Sequence, residues 1–241
     1  MAIKEIVYKS SNFCINYEIL NLKKDKNIIF LHGWGSNKDI MKSAFSKFLE
    51  DFKHIYIDLP GFGKSSNSLV LNSKDYANIV EIFLKEGGFS KDIIVGHSFG
   101  GKVATLLKPK LLVLLSSAGI LEKKSLKVRA KIALFRLIKP IGSKRVREFF
   151  VSKDAKNMSE NMYKTFKNIV NEDFSDIFKE YKKNTLIFWG KDDKATLIDS
   201  GKKISSFIKN SKFYPLDGDH YFFLKNSKLI SQKIKEYYEN L

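Results

Sequence analysis

The chain has 241 residues, 44% of them hydrophobic, with one cysteine and a formal net charge of +17. That length suits one α/β domain carrying an insertion rather than two independent domains. The lone Cys14 excludes an intramolecular disulfide, and the charged start Met1–Val7 is too short for a signal peptide. No apolar run approaches the ~20 residues of a membrane span, so a cytoplasmic location is expected.

In chain order, apolar runs predict strands at Ile3–Tyr8, Phe13–Leu20, Asn27–Leu31, His54–Asp58, Asp92–His97, Leu111–Ser117, Thr185–Gly190 and Lys212–Pro215. Helical spacing predicts Ile40–Glu50, Lys74–Lys85, Ser98–Leu107, Ser200–Lys209 and Ser227–Tyr238 between or after them. The runs Ile28–Leu31, Ile93–Val95, Leu111–Leu115 and Leu186–Trp189 are apolar throughout, as expected of parallel strands covered on both faces. The predicted fold class is therefore α/β, a doubly wound, mostly parallel eight-stranded sheet.

The strand–helix rhythm breaks between Gly119 and Lys183. Leu126, Ala130, Leu134, Leu137 and Ile141 recur at helical spacing, as do Met158, Met162, Phe166 and Ile169. Residues 119–183 are thus expected to form a helical cap or lid over the C-terminal edge of a core built from residues 1–118 and 184–241.

The pentapeptide Gly96-His97-Ser98-Phe99-Gly100 lies between a buried strand and a helix. That context makes a G-x-S-x-G pattern a nucleophile elbow, a turn sharp enough to lift a serine hydroxyl out of the sheet. A serine nucleophile needs a base, and the base needs an orienting carboxylate. After the strand Thr185–Gly190 stand Asp192 and Asp193, and after the last strand stands His220, all in loops at the edge where parallel sheets bind ligands. The order serine, acid, histidine is the one this kind of sheet uses. His54 enters a strand and reads as structural, whereas His32 and His97 flank turn glycines and read as supporting hydrogen-bonding groups. Donors for a tetrahedral oxyanion are available in the backbone N–H groups of Trp34, between Gly33 and Gly35, and of Phe99, just after the serine.

The segment Gly61-Phe62-Gly63-Lys64-Ser65 looks like the end of a phosphate loop. The loop requires a glycine five residues before Gly63, where Asp58 stands, so the segment reads as a turn. No cofactor and no metal are called for.

At this point the chain resembles the α/β-hydrolase superfamily along nearly its whole length, through Leu31–Gly35, Asp58–Ser65, Gly96–Gly101, Trp189–Asp193 and Gly218–His220. In that family the acid stands three residues after the glycine of the Trp-Gly turn, which points to Asp193 over Asp192. Serine at the elbow argues against the dehalogenases and epoxide hydrolases of this fold, which use aspartate there. The segments His32–Gly35 and Asp58–Gly63 are similar to carboxylesterases that demethylate pimeloyl-carrier-protein esters. The stretch Val170–Asp173 is similar to a poorly defined group of bacterial hydrolases. Two departures stand out: Asp219 separates Gly218 from His220, and Asn184 replaces the usual proline before the acid strand.

The expected function is a serine esterase or thioesterase acting on a small-molecule acyl ester or thioester, with Ser98, Asp193 and His220 as its triad. Amide or carbon–carbon bond hydrolysis could use the same parts. The alternative is a slow-turnover or non-catalytic small-molecule receptor on the same fold. Only four of the 43 basic residues are arginine: Arg129, Arg136, Arg145 and Arg147, all inside the insertion. From Lys123 to Lys153 eleven basic residues face one acid, Glu148. This segment is a candidate contact for substrate, an acidic carrier protein, a coenzyme A phosphate or an anionic membrane surface. Elsewhere lysine is spread evenly, the mark of a solvated surface, and no nucleic-acid partner is expected.

Overall fold

The computed structural model describes residues 2–121 and 158–241. Eight strands among them form one sheet: β1 (Ala2–Tyr8), β2 (Ser11–Leu20), β3 (Asn27–Leu31), β4 (Lys53–Ile57), β5 (Ile93–His97), β6 (Leu111–Leu115), β7 (Asn184–Gly190) and β8 (Ser211–Leu216). Their order across the sheet is β1-β2-β4-β3-β5-β6-β7-β8. Only the pairings of β2 are antiparallel; all others are parallel. The doubly wound, mostly parallel sheet expected from the apolar runs is the one observed.

The helices are α1 (Lys38–Phe45), α2 (Ser73–Glu86), α3 (Phe99–Leu107), α4 (Glu160–Val170), α5 (Ser175–Glu180), α6 (Ile198–Phe207) and α7 (Phe223–Glu239). Every residue of β3, β5 and β6 is buried. Side chains alternate across a strand, so each strand feeds two cores. Ile29, Leu31, Ile94, Leu112, Leu114, Ile187 and Trp189 pack with α2, α3 and α6. Ile28, Phe30, Ile93, Val95, Leu111, Val113, Leu115 and Phe188 pack with α1 and α7 on the other face.

Helix α6 runs two residues ahead of the expected Ser200–Lys209, and the bounds of α1 and α7 differ from expectation for local reasons. Helix α1 starts earlier because the Asn37 side chain accepts the Asp39 N–H as a cap, and it ends at Phe45. Beyond it Leu49 takes a left-handed turn (φ +57°) that brings its carbonyl to His54 Nε2 at 2.9 Å. Helix α7 starts at Phe223 because Asp219 captures the Tyr221 and Phe222 N–H groups just before it. The expected helical pattern at Met158–Val170 coincides with α4, whereas the pattern at Leu126–Ile141 lies outside the described residues. No helix among the described residues is long and apolar enough to cross a membrane.

Candidate active site

The strand β5 and helix α3 meet at Ser98, whose φ of +51° and ψ of −115° are costly for a residue with a Cβ. Such a conformation costs of order 1–3 kcal/mol and persists only where the surroundings enforce it. Here the Ser98 N–H donates to the Leu115 carbonyl, and its own carbonyl accepts from the Gly101 and Ala118 N–H groups, each at 3.0 Å. The turn is so tight that a Cβ on Gly96 would strike the Gly100 carbonyl, and one on Gly100 would strike the Leu31 and His32 carbonyls. Both glycines of the pentapeptide are thus required by backbone packing.

Asp193 follows β7 and is buried, while its neighbour Asp192 is exposed. His220 Nδ1 lies 2.8 Å from Asp193 Oδ2. The same Oδ2 accepts the Thr196 hydroxyl at 2.9 Å, and Oδ1 accepts the Ala195 and Thr196 N–H groups at 2.8 and 3.0 Å. Burial alone would raise the Asp193 carboxyl, but the His220 and Thr196 hydrogen bonds outweigh it and hold it at about 2. Asp193 is therefore charged throughout the neutral range, which places the imidazole proton on Nδ1 and leaves Nε2 as the basic nitrogen.

Two other histidines support this region. His97 Nε2–H donates to the His220 carbonyl at 2.9 Å, and the two rings lie 4.6 Å apart. His32 Nδ1–H donates to the Gly33 carbonyl at 2.8 Å, while its Nε2 accepts the Leu59 N–H at 3.0 Å. Burial pushes His32 down to about 4 and His97 down to about 3, so both stay neutral. His54 is buried between the Tyr56 hydroxyl and the Leu49 carbonyl, away from these groups.

A cavity of about 350 Å³ opens over Ser98. Trp34, Phe99, Ile120, Phe166 and Ile169 supply its apolar walls, and Thr196 reaches it from beside Asp193. The Trp34 ring lies 4.7, 5.7 and 5.3 Å from the rings of Phe62, Phe99 and Phe166, so it joins the loop after β3 to α3 and α4. Neither the Trp34 nor the Phe99 backbone N–H has an acceptor among the described residues. The segment Gly61–Ser65 forms the expected turn, closed by the Ser65 hydroxyl on the Asp58 carbonyl at 2.7 Å.

Two polar features of the site carry no local sequence signal. The Thr196 hydroxyl lies within reach of two acceptors that share its one hydrogen, Asp193 Oδ2 at 2.9 Å and the Ser116 carbonyl, on the neighbouring strand's exit loop, at 3.1 Å. Lys102 stands one helical turn after Ser98 and lines the same cavity. Its side chain is 2% exposed and its ammonium meets Glu172 at 3.0 Å. Arg129, Arg136, Arg145 and Arg147 lie outside the described residues, as does most of the basic stretch. No cluster of side chains suited to a metal ion occurs among the described residues.

Residues 26–109 match a family described as the alpha/beta hydrolase fold. An esterase from Exiguobacterium antarcticum superposes with a TM-score of 0.74 at 18% identity, covering 94% of this chain and 96% of that one. A thermophilic esterase from Thermogutta terrifontis gives a TM-score of 0.72 at 17% identity, over 100% of this chain and 99% of that one. This chain has the α/β-hydrolase fold. The chain is similar to pimeloyl-[acyl-carrier protein] methyl ester esterase of Proteus mirabilis, 35% identical over 33% of this chain. That match spans 29% of the relative's own length, well under two thirds. It is also similar to an uncharacterized hydrolase of Bacillus subtilis, 24% identical over 92% of this chain and 93% of that protein.

Proposed function

We propose that this α/β-hydrolase-fold protein is a serine hydrolase that cleaves a carboxylic ester or thioester through an acyl-enzyme on Ser98. The observation that carries the reading is the hydrogen bond between His220 and the buried Asp193, together with a strained serine that lines a largely apolar cavity. His220 Nε2 takes the Ser98 proton as Oγ attacks the acyl carbonyl, and Asp193 holds the imidazole tautomer and stabilises the imidazolium. The oxyanion is bound by the Trp34 and Phe99 N–H groups, whose lack of another acceptor among the described residues supports that role. Collapse of the intermediate expels the alcohol or thiol, which leaves with the proton from His220. Water activated by the same nitrogen then releases the acid and regenerates Ser98.

Of the insertion 119–183, this reading uses helix α4, which walls the cavity; residues 122–157 lie outside the described residues. The basic stretch from Lys123 to Lys153 would recruit an acidic carrier protein or a coenzyme A portion, which the name of the Proteus mirabilis relative supports for the first.

The test is hydrolysis of short p-nitrophenyl esters together with labelling by a fluorophosphonate. Ser98→Ala should lose labelling and lower kcat by on the order of 10⁶, with unchanged circular dichroism. Full turnover by folded Ser98→Ala refutes the reading, and tight ligand retention without turnover by the native protein would favour a receptor.

A further inference from the structure

A buried lysine in the wall of an acyl site invites the idea of an acidic substrate, but Lys102 is already fully engaged. Its ammonium donates to the Ile169 carbonyl at 2.8 Å, to the Glu172 carbonyl at 3.3 Å and to Glu172 Oε2 at 3.0 Å. Three donors thus meet three acceptors. The ion also lies 4.4 Å above the Phe174 ring. Glu172 is engaged in turn by the Ser73 N–H at 3.0 Å and by the Ser73 hydroxyl, at the start of α2. Among the described residues lining the cavity, Lys102 is the sole cation and Glu172 the sole anion.

The two backbone carbonyls that Lys102 binds lie in the last turn of α4 and just beyond it, and the Ile169 carbonyl also accepts the Glu172 N–H at 3.3 Å. Helix α4 contributes Phe166, Ile169 and Val170 to the cavity. Lys102 therefore ties the α4 wall of the cavity to the helix that begins just after Ser98, and Glu172 ties both to α2.

We propose that the cavity takes a neutral, apolar acyl chain, and that Lys102, held by Glu172, is the positioning residue that fixes how long that chain can be. This rests on Ser98 being the nucleophile. An acyl chain ending in a carboxylate would find no free donor on Lys102 and would face the Glu172 carboxylate, these two being the only charged groups among the described residues lining the cavity.

The experiment measures kcat and KM for p-nitrophenyl esters from acetyl to tetradecanoyl, and for a six-carbon acyl group ending in a carboxylate. Native protein is compared with the double variant Lys102→Met/Glu172→Gln, in which glutamine keeps an acceptor for Ser73. In native protein kcat/KM for hexanoyl should exceed that for its carboxylate-ended counterpart at least tenfold. In the variant the tetradecanoyl-to-butyryl ratio of kcat/KM should change at least fivefold, mostly through KM. A native preference for the carboxylate-ended chain, or a smaller change in that ratio, overturns the proposal. The native comparison stands even if the variant fails to fold. Fluorophosphonate labelling of Ser98 is followed in parallel; its absence in native protein would overturn the serine reading and this inference with it.

Discussion

Acidification from about pH 8 to about pH 5 should destabilise the protein by about 4 kcal/mol through two histidines that cannot be protonated in place. In His32 both ring nitrogens are taken, Nδ1–H by the Gly33 carbonyl and Nε2 by the Leu59 N–H, so a second proton would point at a donor. His97 is buried against Gly33 and His220. Burial is the leading cause in both, lowering His32 from 6.5 to about 4 and His97 from 6.5 to about 3. Below pH 6.5 the unfolded chain therefore binds protons that the folded chain refuses, so stability rises with pH across this window and is lost as pH falls. At pH 5 each histidine sits ~1.5 pH units below its unfolded value, worth ~2 kcal/mol at ~1.36 kcal/mol per unit. The lowered carboxylates, such as Asp193 at about 2, titrate below this range and leave the window to the histidines. Urea unfolding at the two pH values measures the difference, and calorimetry in buffers of different ionisation enthalpy should find about two protons taken up on unfolding at pH 5. His54, also lowered by burial, can only add to that number. Equal stability at both pH values, or uptake below one proton, would refute the reasoning.

Thr196→Val keeps the side-chain volume and removes the hydroxyl from Asp193 Oδ2. A hydrogen bond to a charged group is worth ~1.5–3 kcal/mol, so kcat/KM for a good ester should fall about 10- to 100-fold, and Thr196→Ser should recover most of it. Gly100→Ala should lower stability by about 3 kcal/mol in urea titration, because the new methyl meets the backbone of Leu31 and His32, which cannot swing aside. Lys38 and Asp58 form an ion pair with side chains 2% and 1% exposed. Lys38→Met strands the carboxylate and should destabilise by about 3–5 kcal/mol, with much of that regained in Lys38→Met/Asp58→Asn; a thermal shift equal in the two variants would show that the stranded charge is not the cause.

Much of the fold was legible because the strands are apolar throughout and the helices between them are not. Burial on both faces of a parallel sheet demands that pattern, and it survives without knowledge of any partner. Ser98 was legible for a related reason: strand, turn glycines and helix are neighbours in the chain, so the elbow is written locally. Asp192 and Asp193 were indistinguishable as residues; the resemblance pointed to Asp193, and it is Asp193 that the fold buries against His220, 27 positions on.

Other features depend on residues far apart in the chain. Thr196 touches the Ser116 carbonyl across 80 positions, and Lys102 touches Ile169 across 67. No periodicity or motif encodes such pairs, because each partner alone is an ordinary threonine or lysine. The sequence by itself determined the sheet, the turn that strains Ser98 and the order of chemically complementary residues at strand ends. Tertiary structure decided which carboxylate meets the imidazole and that the lysine beside the serine is spent on α4, since burial and hydrogen-bond satisfaction exist only once distant segments are packed together.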